Sequence, residues 1–172
     1  MTIQIGTAGS EGKSFTGLKS VFKIKMTRKG TPNDAVIQVY NVNADTVALA
    51  QDPDAVIRVL AGYDVPQLLF AGNPTKGGVK LERKGPDRVL TIEAQDGLRA
   101  YQDARISISF STETTLAQVY AAVAEQLGLP EGTIRVDSTF RFTQGGVFSG
   151  YARDVLDRIA ASTSSGWFIR DG

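Results

Sequence analysis

Residues 18–27 read LKSVFKIKMT. After an opening Val21-Phe22, Ile24 and Met26 fall on one side, and Lys23, Lys25 and Thr27 on the other. Alternation with period two belongs to a strand with one face buried and one in water. Working outward, RKGTPND breaks the pattern with Gly, Pro, Asn and Asp, and Ala35–Asn41 (AVIQVYN) resumes it with β-branched residues. The two runs predict a hairpin with a longer loop.

The same period continues downstream. Asn43–Ala50 reads as a short helix that Asn43 or Asp45 can cap, and Asp52-Pro53-Asp54 ends it. Strands are expected at Ala55–Ala61, Gln67–Ala71, Gly77–Arg83 and Arg88–Ala94, the last two joined by the turn Lys84-Gly85-Pro86-Asp87. After Asp96-Gly97 the texture changes. Leu98–Asp103 fits one helical turn, and Arg105–Phe110 fits a strand. In Thr114–Leu127 the apolar residues Leu116, Val119, Tyr120, Val123 and Leu127 recur at helical spacing, with Gly128 as the stop. Phe140–Phe148 reads as two short strands around Gln144-Gly145-Gly146, Tyr151–Ala161 as a second amphipathic helix, and Gly166–Arg170 as a last strand. The reading is therefore an α+β chain, mainly β: a β-barrel or sandwich over residues 1–111, then a small α+β lobe over residues 112–172. A strand at the end of the chain needs a partner for its backbone groups. The lobe is thus expected to be unfinished, continuing in a partner chain or in a missing region.

Composition narrows the function. The chain has 172 residues, 42% of them apolar, plus 18 Gly, enough for a real core. Its 19 basic and 18 acidic residues are interleaved, which does not suit sequence-specific nucleic-acid binding. No apolar run approaches the ~18–20 residues of a membrane span. His and Cys are both absent. That removes disulfides, thiolate chemistry, the commonest metal ligand and the commonest general base. No catalytic, cofactor or metal residue is assigned. Gly6–Ser14 (GTAGSEGKS) ends like a phosphate-binding loop, but Thr7 stands where that motif needs Gly, and no helix follows convincingly. The acids Glu82, Glu93, Asp96 and Asp103 lie on or near neighbouring strands. Paired carboxylates could cleave glycosides, but each has a basic neighbour (Arg83, Arg88, Arg99, Arg105), as a solvated strand face would.

The ordered set FKIKMTRKG, NDAVIQVYNVNADT, VIRVLAGY, LLFAG, TIEAQDGL, VYAAVAEQLGL, FSGYARDVLDRIA and GWFIRDG resembles the baseplate hub proteins of contractile-tailed, Mu-like phages. More distantly it is similar to the hub portion of the type VI secretion spike. The resemblance runs from about Leu18 to Gly172. It implies a virion structural protein of the tail baseplate, assembled in the bacterial host cytoplasm. Its β domains would form a trimeric ring of pseudo-sixfold symmetry that adapts the hexameric tail tube to the trimeric spike. Partners would be two further copies, the tube protein, the spike protein and a second hub protein, since such hubs run well beyond this chain's length. Adjacent Trp167 and Phe168 point to opposite faces of a strand, one onto the helices and one toward a subunit contact. Together with Phe148 they are the candidate interface residues. The competing readings are a tail-associated peptidoglycan hydrolase acting through carboxylates and a small carbohydrate- or peptide-binding β module. Isothermal titration with ATP and Mg²⁺ is expected to give no heat of binding; micromolar affinity would overturn the reading of Gly6–Ser14 as an ordinary loop.

Overall fold

The computed structural model describes residues 1–7, 12–129 and 132–170. Two compact units are formed. The first consists of Met1–Thr27, Pro32–Leu98 and Ile169–Gly172; the second consists of Arg28–Thr31 and Arg99–Phe168.

The first unit is a seven-stranded antiparallel sheet. Its strands are β1 (Thr2–Thr7), β2 (Lys13–Thr16), β3 (Ser20–Lys25), β4 (Asp34–Tyr40), β5 (Ala55–Ala61), β6 (Gln67–Lys84) and β7 (Asp87–Gln95). They lie in the order β2-β1-β5-β6-β7-β4-β3. The expected hairpin is β3–β4, with Phe22 opposite Ile37 and Ile24 opposite Ala35. β6 is a single strand of 18 residues where the pattern suggested two. Its first part pairs with β5, from Gln67 to Gly72, and its second part with β7, from Asn73 to Lys84. The register shifts between Pro74 and Val79, because Pro74 cannot donate to the ladder and Gly77 takes φ 74°. Ile3, Ile5, Ile57, Val59 and Phe70 from one half of the sheet share one buried core with Ile37, Val39, Leu90 and Ile92 from the other. The sheet therefore curls around its own apolar face. α1 (Ala44–Gln51) packs on β1, β5 and β6 through Thr46, Val47 and Ala50. Asn43 caps it as expected, accepting from the Thr46 backbone N–H at 2.9 Å.

Several expectations are corrected. The sheet does not close into a barrel: among the described residues β2 and β3 are its unpaired edges. β7 is interior to the sheet, between β6 and β4. Gly166–Arg170 is not a strand but irregular chain. The Ile169 carbonyl is satisfied by the Asn33 side-chain amide at 3.3 Å instead of by a ladder. β1 and β2, which the Gly-rich start concealed, form a hairpin with Ile5 opposite Lys13.

In the second unit, β8 (Arg105–Phe110) pairs antiparallel with β9 (Gly146–Tyr151). Phe140–Phe148 thus supplies one strand rather than two; outside it only a single bridge joins Thr115 and Arg141. α2 (Leu98–Asp103), α3 (Leu116–Leu127) and α4 (Ala152–Thr163) complete the elements. Leu116, Val119 and Val123 of α3 meet Val155, Leu156 and Ile159 of α4 in a core floored by Ile106 and Ile108. α3 begins with a reciprocal capping box, Gln118 N–H to Thr115 Oγ1 at 3.1 Å and Thr115 N–H to Gln118 Oε1 at 2.9 Å. It stops at Gly128, whose φ of 68° suits a residue without Cβ.

The most constrained polar group of the first unit is Asp96, 1% exposed. Its carboxyl accepts from the Asn33 backbone N–H at 2.6 Å and from the Asn33 Nδ2 amide at 2.5 Å. Asn33 also accepts the Thr27 N–H on Oδ1 at 2.6 Å, and its carbonyl accepts the Asp96 N–H at 3.1 Å. Next along the chain, Gly97 sits at φ 52°, where an added Cβ would stand 2.5 Å from Ile169 Cγ2. Removing the Asn33 side chain strips a buried carboxyl of a donor and two backbone groups of their partners. Asn33→Ala is therefore expected to destabilise by ~2–4 kcal/mol in urea denaturation, whereas Lys84→Ala, on an exposed strand end, should stay within about 0.5 kcal/mol.

Candidate functional site

The acids weighed for hydrolysis each have a structural situation. Glu93 faces Lys80 at 3.8 Å, Asp96 is held by Asn33, Glu82 stands on the exposed outer part of β6, and Asp103 is exposed at the end of α2. Among the described residues, no group of three or more Asp and Glu side chains is placed to hold a metal ion. The phosphate-loop pattern falls partly on residues 8–11, outside the described residues. Lys13 and Ser14 at its end lie on β2, not at a helix start, and Lys13 sits 3.8 Å from Asp45.

What the surface does offer is aromatic. In the second unit Tyr151 is flanked by two guanidinium groups, Arg105 at 4.6 Å and Arg153 at 4.8 Å from the ring centroid. Arg153 also donates to the carbonyls of Tyr101 and Gln102 at 3.1 and 3.2 Å, which fixes its plane. Tyr101 stacks on Trp167 with centroids 6.3 Å apart. The Trp167 indole N–H donates to Asp157 of α4 at 2.9 Å. The ring also fills the space beside Gly30, where a Cβ would lie 2.7 Å from it. Phe148 stacks on Phe110 at 5.4 Å, under Arg158 at 5.8 Å. Trp167 and Phe148 both pack on the core of this unit, while Phe168 is half exposed.

Sequence reading missed a more prominent feature. The β5–β6 loop carries Tyr63, which is fully exposed, and Val65, which is 73% exposed. Nothing in period or composition distinguishes a projecting loop aromatic from a buried one.

A shallow open cleft of about 540 Å³ lies in the second unit, lined among others by Leu116, Arg135, Asp137, Phe140 and Gly166. Asp137 accepts from the Thr139 hydroxyl at 2.6 Å and from its backbone N–H at 2.8 Å. These bonds, the hydroxyl first, hold its carboxyl below the ordinary aspartate value.

These features belong to a mainly β, α+β fold with an open, curled sheet. No family model and no curated relative matches the sequence. Among solved structures, the chain shares its fold with the 43 kDa tail protein of prophage MuSo2 from Shewanella oneidensis, at TM-score 0.64 and 14% identity. The match covers 99% of this chain and 51% of that protein, so the chain spans about half its length. Looser similarity extends to the lidless PdpA–VgrG complex and the lidded Francisella PdpA–VgrG complex. Both have TM-score 0.49 and 10% identity over 83% of this chain, covering 27% and 22% of those chains. The resemblance read from the sequence thus holds at the level of fold.

The depressed pKa of Asp137 gives a test. Because the folded value lies below the unfolded one, the hydrogen bonds stabilise the fold above the unfolded pKa, and that contribution is lost as pH falls through the folded pKa. In an NMR titration Asp137 should titrate below ordinary aspartates, and Thr139→Val should move it upward. An unchanged midpoint in the variant would remove the hydroxyl as the main cause.

Proposed function

We propose that this chain is a structural subunit of a phage-type contractile tail, a baseplate hub protein. Three copies form a ring on the tail axis that adapts the hexameric tube to the trimeric spike. The observation that carries this reading is the fold shared with a prophage tail protein over 99% of the chain. The ordered sequence resemblance from Leu18 to Gly172 supports it from a second direction.

The architecture suits the role. Ring subunits meet through surfaces that a monomer leaves uncovered, and a contact that returns on itself uses such surfaces without polymerising. Half-exposed Phe168 and the Tyr63–Val65 loop tip are the surfaces we assign to subunit or tube contacts. Phe148 contributes through its stack with Phe110 in the second unit, where the adjacent Val147 is 68% exposed. Projecting aromatic side chains are well suited to such contacts because they bury large area with little loss of rotamer freedom.

Cryo-electron microscopy of the parent particle tests the proposal. Density for this chain on the central axis, between tube and spike and in three copies, is the expected result. Placement on the outer baseplate, or absence from the particle, would sink it.

A further inference from the structure

The open strand edges of this chain are not alike. In the second unit a side chain bonds each outer edge at one residue. Gln126 of α3 presents its amide to β8 as a neighbouring strand would: its Oε1 accepts the Ser107 N–H at 2.9 Å and its Nε2 donates to the Ser107 carbonyl at 3.2 Å. On β9 the Ser149 carbonyl accepts from Arg158 at 3.1 Å. Among the described residues β3 has no such cover. The Tyr40 N–H donates to the Lys19 carbonyl at 3.0 Å, and the β3–β4 pairing continues antiparallel from Ser20 opposite Val39. In such a ladder bonded pairs alternate. Val21, Lys23 and Lys25 therefore turn their backbone groups toward β4, and Ser20, Phe22 and Ile24 turn theirs outward. Beside Ser20 stands Met1, whose sulfur accepts from the Ser20 hydroxyl at 3.6 Å. The free stretch is thus Phe22 to Lys25.

The side chains flanking that stretch decide what can pair with it. Val21, Lys23 and Lys25 are exposed, and neither lysine has an ion-pair partner among the described residues. The edge and outer strands β2, β3, β8 and β9 contain Lys13, Lys23, Lys25 and Arg105 but not one Asp or Glu. Pairing β3 with its own copy, or with β2 of another copy, would set lysine near lysine, which is destabilising across strands. Among the described residues, none of these strands offers this edge a carboxylate.

We infer that the β3 edge binds an extended acidic segment of a different protein by strand addition. The Phe22 and Ile24 backbone groups would supply the ladder, and Lys23 and Lys25 would select carboxylates on the incoming strand. The alternative use of edge lysines is simply to prevent any pairing, and the two roles give different results. The inference does not rest on the chain's being a tail subunit.

The test uses the whole chain and two synthetic peptides of roughly eight residues, a strand's ordinary length. One alternates Glu with Val and Thr; the other has Lys in place of Glu. Titration calorimetry at low salt is expected to show binding of the acidic peptide only, weakened at least tenfold by 0.5 M NaCl. Hydrogen exchange should slow at the amides of Phe22 and Ile24 and change little at Lys23. The double variant Lys23→Glu, Lys25→Glu, with its circular dichroism unchanged, should exchange the preference to the basic peptide. Binding of neither peptide, equal binding of both, or protection confined to other strands would overturn the inference and leave the lysines as guards against pairing.

Discussion

The first unit depends on one buried polar junction. Asn33, before β4, and Asp96, after β7, are brought into contact across 63 residues, and both are almost fully buried. A carboxyl and an amide out of water are tolerated only when their bonding capacity is met. Here each meets the other's need while also holding backbone groups of Thr27 and Ile169. Apolar packing alone would leave these irregular connections free to slide, because hydrophobic contact has no direction. The Asn33–Asp96 pair gives them one.

The sheet is organised around β6. Its first part is a partner of β5 and its second part a partner of β7, so a single continuous strand carries the core from one half of the sheet to the other. The irregularity at Pro74–Val79 lets the strand change direction without ending, and a flat sheet becomes a curled one. Outward-facing residues on the β3–β4–β7 side remain mixed. Lys80 faces Glu93, and Gln95 donates to Asp34 at 2.7 Å, so that face suits water.

Much of this was legible from residue order. Alternation located β3, β4, β5, β7 and β8, and helical spacing located α3 and α4, because each has one face buried and one face wet. Asn43 and Gly128 marked helix ends through local bonding that does not depend on the rest of the fold. Other features were hidden for physical reasons. Gly72 and Pro74 disguised the continuity of β6, since a bent strand through Gly and Pro has the composition of a turn. GWFIR has strand composition, but it joins no ladder, and its Ile169 carbonyl accepts from the Asn33 side chain. Asp96 looked like a surface acid beside Gly97, and its burial follows from a partner far away in sequence. The plugging of the β8 edge by Gln126 likewise has no local signature.

The first unit is discontinuous. Seventy residues, Arg99–Phe168, separate Leu98 from Ile169, which is buried against Gly97 and bonded to Asn33. Chains are made from the N-terminus and fold as they emerge. The sheet can assemble as soon as β7 is available, yet its polar junction lacks one acceptor until Ile169 leaves the ribosome. A nascent or prematurely ended chain would therefore carry a nearly finished sheet with an unfilled place beside Gly97. The first unit therefore reaches its complete bonding only in molecules translated through Ile169.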